Sequence, residues 1–497
     1  MRVSSHLNEF QEAYLTSFLH EEGDAAGRRA AQEYLEASTA IYHGNLVGFG
    51  FIPKIYDRAA LIELDSIART TYSILEKVTQ HYLAYPSYRS LFGFSSELER
   101  LICLPTGYAT SIPIMRMDLF LNETTMDFSF CEFNTDGASA MNEDREGTNA
   151  LCLSPTFINV AQQLQLEPQE LFEGWIDEFL TIYASSEQAV PAPRLAIVDY
   201  TESATMYEFE EFRKRFEARG YECLICDIHS LEYFDGKLYG VDVDTARAQL
   251  GKQRIDAVYR RAVTGEILAD LAEQDSYKSA VPVGAQALVG AQALVGAVEE
   301  KSICMIGGFV THIAHCKQLF TVLHLLETAE FLSNEENSFI REHVPYTTRL
   351  DKDHVNLGQV MGDKDRWIIK PEDGYGSQGV FAGMDYDEIA WRGLIEECSR
   401  KHYIVQTYCP QYTTSNLRVI PVHAQRDTLE PWNNLTGLYL YNGRFSGVYV
   451  RAGQKGIIVG FAGGITVPTF LSAYDADAGL ALRARPCFKE KTATSTG

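Results

Sequence analysis

Arg116-x-Asp118 and Glu132-x-Asn134 are the side chains of this sequence whose types and spacing most directly suggest chemistry. In an extended strand, positions two apart point to the same side, so each pair occupies one face. A turn centred near Thr125 makes the two segments an antiparallel hairpin, with Asp118 opposite Glu132 and Arg116 opposite Asn134. Two carboxylates and an amide oxygen are hard ligands suited to Mg2+, which leaves its other positions to water and phosphate oxygens. An arginine beside them is suited to contact the same phosphates or an anionic intermediate. The polar outer face of an ordinary hairpin has the same pattern. Phe128 and Phe130, expected on the face of Glu132 and Asn134, argue instead for the lining of a cleft.

The second grouping is Lys370-Pro371-x-x-Gly374-x-Gly376-x-x-Gly379. Its GxGxxG would open a helix if it were a dinucleotide fingerprint. Here the strand-like Val380-Phe381-Ala382 follows at once. No Gly-Lys-Ser/Thr follows, which excludes a Walker loop, and Lys370 precedes the glycines, whereas the protein-kinase lysine lies on a later strand. What remains is a hairpin lid: backbone amides at Gly374, Gly376 and Gly379 free to approach phosphates, with a strand lysine pointing at them. A glycine-rich surface turn has the same local composition.

These groups need elements to hold them. The period-3.6 runs at Leu7–Phe18 and Leu61–Tyr82 predict a helical N-terminal region over residues 1–100. Residues 101–192 carry the hairpin and further helices. From Leu195 an apolar run, an amphipathic helix (Met206 to Arg219) and the strand Cys223 to Cys226 make a strand-helix-strand, Rossmann-like segment within 193–300. A helix from Ile313 to Phe331 containing Lys317 opens a region at 301–470, and 471–497 is expected to be a loose tail. The fold class is therefore mixed α/β. Gly284-Ala-Gln-Ala-Leu-Val repeats at once from Gly290, which reads as a tandem duplication in a surface helix or loop. The uncharged stretch Ser279 to Val298 is long enough to span a bilayer, but its proline, glycines and glutamines weaken that reading.

With 67 acidic against 43 basic side chains, the chain carries a net charge of −24, which argues against nucleic acid as a partner. Met1 to Asn8 lacks the apolar core of a secretory signal, so the expectation is a cytoplasmic protein with no membrane association. Its ten cysteines, the Cys223-x-x-Cys226 pair included, are expected to be mostly buried thiols. His312, His315 and Cys316 read as helix packing.

Taken in order, Arg116-Met-Asp, Glu132-Phe-Asn134-Thr-Asp and Lys370-Pro with its glycine loop resemble the circularly permuted ATP-grasp enzymes of the glutathionylspermidine synthase family. In ordinary ATP-grasp proteins the lysine and glycine loop precede the Glu-x-Asn ligands; here, as in that family, they follow. The resemblance runs from about Gly44 to Pro468 and covers the synthetase half without an amidase domain. It implies ATP as co-substrate and two Mg2+ ions on Asp118, Glu132 and Asn134, with Arg116 as the catalytic, phosphate-facing arginine. It implies ATP contacts from Lys317, Lys370, the three glycines, Gln406 and Tyr408 in Tyr403-Ile-Val-Gln406-Thr-Tyr408, and Arg451. Ser139 and Arg260 are candidate substrate contacts, although Asp136-Gly-Ala-Ser139 departs from the serine-richer loop of the family.

The expected activity is ADP-forming ligation of a small-molecule carboxylate to an amine through an acyl phosphate. A phosphotransferase and a non-catalytic ATP-binding protein remain as alternatives. In either case one positive cleft, formed by Arg116, Lys317, Lys370 and Arg451, is expected in an acidic body.

Overall fold

The computed structural model describes residues 7–42, 44–278, 288–374, 376–419, 428–458, 463–472, 480 and 482–487. Strands β1 (Ile114–Leu121) and β2 (Phe128–Asn134) form an antiparallel hairpin. Asp118 lies opposite Glu132 and Arg116 opposite Asn134, as the turn position predicted. Asn122 builds the turn: its Oδ1 accepts the backbone N–H groups of Thr124 (3.0 Å) and Thr125 (3.3 Å).

The aromatic residues depart from expectation. The register shifts between Asp118 and Leu119, which pairs with Phe130, so Cys131 is an extra residue on β2. Such a bulge inverts the alternation of faces. Phe128, Phe130 and Phe133 therefore all enter the core with Met117 and Leu119, while Glu132 and Asn134 face the other way.

Strands β3 (Leu195–Asp199), β4 (Cys223–Asp227), β5 (Ala257–Arg260) and β6 (Cys304–Ile306) form a parallel sheet in the order β6-β5-β3-β4. Their continuous apolar runs suit burial on both faces. On one face, Phe209, Phe212 and Phe216 of helix Met206–Ala218 pack against Leu195, Ile197 and Ile225. On the other, helix Ala291–Glu299 packs Leu294 and Ala297 against Ala196 and Val258. The second hexapeptide copy is thus a core helix, contrary to the surface position expected: Ala291 through Val298 are all buried. Of the first copy, Gly284 to Ala287 lie outside the described residues. Cys223 and Cys226 are buried thiols.

A third sheet, antiparallel, comprises β7 (Thr347–Arg349), β8 (Trp367–Pro371), β9 (Phe381–Ala382) and β10 (Tyr403–Thr407), in the order β7-β10-β8-β9. The helix expected from Ile313 to Phe331 is instead three short ones, His312–His315, Gln318–Leu323 and Leu326–Ala329. Cys316 is extended (φ −66°, ψ 130°), and the Lys317 N–H bonds the Glu372 carbonyl at 2.8 Å instead of continuing the preceding helix.

Strands β11 (Thr413–Asn416), β12 (Glu430–Tyr441), β13 (Arg444–Gly453) and β14 (Ile465–Val467) return to the hairpin. They complete an antiparallel sheet ordered β14-β13-β12-β1-β2, with β11 on β12. Residues 301–470 therefore contribute strands to the parallel sheet through β6, to the β7–β10 sheet and to this one. Helices Leu7–His20, Ala25–Glu36 and Arg58–Ala84 lie within the first hundred residues. Asp57 caps the last of these, accepting from Ala60 N at 2.8 Å, and its Leu64, Ile74 and Val78 share a core with Met115 and Met117 of β1.

The expected loose tail is docked at 482–487. Leu482 is buried, Arg485 N–H bonds the Pro168 carbonyl at 2.9 Å, and Cys487 forms a disulfide with Cys152. The other eight cysteines are free thiols, five of them buried. Among the described residues no helix is long and apolar enough to cross a membrane.

Candidate functional site

Two adjoining cavities lie where the hairpin sheet meets the β7–β10 sheet and the loops of the parallel sheet. The first, of about 750 Å³, is lined by Glu132, Lys317, Lys370, Gln406, Tyr408 and Arg451, with Gly374 at its edge. The second, of about 1380 Å³, is lined by Arg116, Glu132, Asn134, Ser139 and Arg451, with Gly376 at its edge. Glu132, Ser377, Arg451 and Ile458 form a common wall.

The lysines reach the first cavity from different elements. Lys317, placed by the break at Cys316, donates from Nζ to the Gly374 carbonyl at 2.7 Å. Lys370 on β8 donates to Gln406 Oε1 (2.8 Å) and the Cys131 carbonyl (3.3 Å), and Gln406 Nε2 donates to Thr347 Oγ1 (2.9 Å). Tyr408 OH donates to Gln411 Oε1 at 3.0 Å. The glycine loop joins the antiparallel strands β8 and β9, with positive φ at Gly374, Gly376 and Gly379. Gly379 lines neither cavity. A Cβ there would lie 2.7 Å from Tyr403 Oη, and its φ is +70°.

Around Glu132 the electrostatics are one-sided. Burial alone would raise its carboxyl pKa, but Lys317, Arg451, Lys370 and Arg116 outweigh that and hold it well below the usual glutamate value. The four cations named from sequence are therefore gathered at one place. Glu132 makes no hydrogen bond or ion pair with a described residue, and Asn134 donates from Nδ2 to Asp118 Oδ2 (3.2 Å) and the Arg116 carbonyl (3.4 Å), leaving its Oδ1 free. These two oxygen donors fit a divalent cation.

Asp118 differs. Its side chain is 1% exposed and lines neither cavity. Its Oδ1 accepts from Arg116 Nε at 2.7 Å, and its Oδ2 accepts from Arg116 Nη2 (3.1 Å), Arg451 Nη2 (2.6 Å) and Asn134 Nδ2. Both carboxylate oxygens therefore have a donor. Among the described residues no group of three or more His, Cys, Asp and Glu side chains is arranged to hold a metal.

Of the two substrate candidates, Ser139 lines the second cavity, and its carbonyl accepts from Arg116 Nη1 at 2.6 Å. Arg260 does not. It is buried, its guanidinium donates to the carbonyls of Gly307, Ala262 and Gly308 and to Thr264 and Thr311, and it pairs with Asp136. Its neighbour Arg261 does line the cavity, and pairs with Glu208.

Asp199, Glu266 and His315 line the second cavity as well and were not singled out as site residues. Asp199 ends β3, at the point where the order of the parallel strands reverses between β3 and β5. That position is the recurrent ligand crevice of open α/β sheets, and it was the available signal. Burial, reinforced by Glu266 against the opposing pull of Arg261, raises Asp199 to about 7. Burial, with Lys317 and His312 nearby, outweighs Asp136 and brings His315 down to about 4, so its ring is neutral at pH 7.

No protein-family model matches the sequence, and no curated relative does. Among solved structures, the chain is similar in fold to a glutathione synthetase-like effector from Globodera pallida. The TM-score is 0.58 at 11% identity, over 90% of this chain and 96% of that one. At that identity the likeness establishes a common fold. Weaker alignments are found with D-cycloserine synthetase DcsG (TM-score 0.28, 18% identity, 57% and 75% covered) and D-alanyl-alanine synthetase A from Vibrio cholerae O1 biovar eltor str. N16961 (0.26, 9%, 50% and 68%).

Proposed function

We propose that this chain is an ATP- and Mg2+-dependent carboxylate–amine ligase of the circularly permuted ATP-grasp, glutathionylspermidine synthase-like type. The observation that carries the reading is the pair of cavities sharing a wall at Glu132 and Arg451, one of them clamped by two lysines and a glycine hairpin. The first cavity is assigned to a nucleotide, with Gln406 and Tyr408 toward the base and Lys317, Lys370 and Arg451 toward the phosphates. The second cavity, lined by Arg116, Ser139, Arg261 and Asp199, is the place for the substrates.

A divalent cation held by Glu132 and Asn134 would supply charge neutralisation on the phosphates. Around it, the chain's own groups position and shield. Lys317 and Lys370 orient the terminal phosphate toward the common wall, and the substrate carboxylate attacks it from the second cavity, giving an acyl phosphate and ADP. Arg116 faces the negative charge that develops as an amine displaces phosphate and forms the amide. The loop from Gly374 to Gly379 covers the phosphates and excludes water.

The test is ADP release with panels of carboxylates and amines, followed by mass analysis of the condensed product. Glu132→Ala should lower turnover at least about 1000-fold while leaving the circular dichroism spectrum unchanged. Near-normal turnover by a folded variant would overturn the assignment. Amine-independent formation of a stable phosphate ester would favour a phosphotransferase.

A further inference from the structure

The glycine loop leaves β8 through Glu372, Asp373 and Gly374, and these three residues are held by two different elements. Lys317 holds the outer two: its N–H bonds the Glu372 carbonyl at 2.8 Å, and its Nζ bonds the Gly374 carbonyl at 2.7 Å. Asp373 rests on the other element. Its Oδ1 accepts from the Gly374 N–H at 2.9 Å, while its Oδ2 lies against Gly265, in the first turn of helix Thr264–Lys278. A Cβ on Gly265 would fall 2.9 Å from that oxygen, and apart from the local chain no other residue comes within 4 Å of the position. The backbone at Gly265 is not left-handed, so the space left by the missing side chain serves the carboxylate and not the turn.

Asp373 lines neither cavity, and its side chain is 44% exposed, so water alone could solvate it. The first turn of a helix favours a carboxylate, because unpaired N–H groups and aligned peptide dipoles make it positive. That turn also belongs to the second cavity. Val263 and Glu266 line it, and the Thr264 N–H bonds Oδ2 of Asp136, another lining residue, at 2.8 Å. The buried His312 stands between the two carboxylates, its Nδ1 3.6 Å from Asp136 Oδ2 and its Nε2 4.0 Å from Asp373 Oδ2.

Resting on the nucleotide reading above, we infer that Asp373 is a positioning residue: it seats the glycine loop on the first turn of helix Thr264–Lys278, and the loop grips the nucleotide fully only when so seated. The grip in the first cavity thereby depends on a wall of the second, without Asp373 touching either ligand.

Gly265→Ala isolates this contact, because the added methyl meets only the Asp373 carboxylate. Calorimetric titration of the full-length chain with ADP, in excess Mg2+ and in EDTA, is compared for Gly265→Ala, Asp373→Ala and the double variant, alongside thermal melting. Each single variant should weaken ADP binding about three- to tenfold, the range of a carboxylate's interaction with a helix N-terminus, and to the same extent in both conditions. Gly265→Ala should not melt earlier than wild type, since alanine is favoured over glycine within a helix. The double variant should bind no more weakly than Asp373→Ala, because the methyl then has nothing to displace. Additive losses would overturn the inference, as would wild-type binding by Asp373→Ala. A loss confined to Mg2+ would place Asp373 on the cation and overturn it too. Lower melting of Gly265→Ala without weaker binding would reduce the contact to a structural one. Absence of ADP binding by the wild type overturns the nucleotide reading itself, whereas binding that ignores both substitutions overturns only the role of Asp373.

Discussion

At the residue scale, the second cavity contains a carboxyl group that titrates near neutral pH. Asp199 is raised to about 7 chiefly by burial, with Glu266 adding to the shift and Arg261, just past the end of β5, and Arg260, its last residue, opposing it. Between the unfolded value near 4 and that raised value, the folded state binds more protons than the unfolded one. The contribution of Asp199 to stability therefore falls as pH rises through this window. Asp199→Asn should accordingly be more stable than wild type at pH 8, by on the order of 1–3 kcal/mol, and no more stable at pH 3. Denaturant titrations of both proteins at the two pH values measure this; an equal difference at both would reject it. Residue identity alone could not distinguish Arg260 from Arg261, because the two are adjacent at the end of one strand. The carbonyls of Gly307 and Gly308, which engage Arg260, come from a loop nearly fifty positions later in the chain.

At the element scale, the glycine hairpin between β8 and β9 depends on a backbone shape that other residues adopt only with strain. Gly379→Ala meets both a positive φ and the Tyr403 hydroxyl. It should raise KM for ATP by about tenfold and cost on the order of 1 kcal/mol in stability, as read by steady-state kinetics and thermal melting. Much of this element was legible, because lysine, glycines and the following strand are contiguous. The hairpin register was legible for the same reason: the turn fixes it locally. The bulge at Cys131 was not, since an extra residue shows only against its partner strand. Nor was the helix break before Lys317, which is made by the distant carbonyl of Glu372. The joining of β12 and β13 to the hairpin was also hidden, because alternation marks a strand but not its neighbour.

At the scale of the whole molecule, the last described segment ties back to the middle of the chain. Arg483 pairs with Asp177, Arg485 bonds Asn149 Oδ1 at 2.7 Å, and Cys487 is linked to Cys152. The covalent link closes a loop of more than 300 residues, so its removal should matter to global stability. Cys152→Ser, or reduction of the wild type, should lower stability by about 2–4 kcal/mol with little change in ADP binding; a loss of binding as large as the loss of stability would contradict this. Such a bond persists in oxidising surroundings, and in a reducing compartment the segment is held by its hydrogen bonds and the burial of Leu482. The net charge of −24 is therefore compatible with a strongly positive interior cleft, because Arg116, Lys317, Lys370 and Arg451 are gathered around one glutamate while the acidic excess is carried by the rest of the chain.

The wall between the two cavities is made of side chains, Glu132, Ser377, Arg451 and Ile458, rather than of a continuous stretch of backbone. A group handed from one chamber to the other need not pass through bulk solvent, and the origin of each oxygen atom records whether it did. In heavy-oxygen water, the phosphate released in the proposed ligation should carry no label, since its fourth oxygen would come from the substrate carboxylate. With a labelled carboxylate it should carry one labelled atom. Solvent label in the phosphate would reveal water reaching the terminal phosphorus, and the partition would then be no barrier.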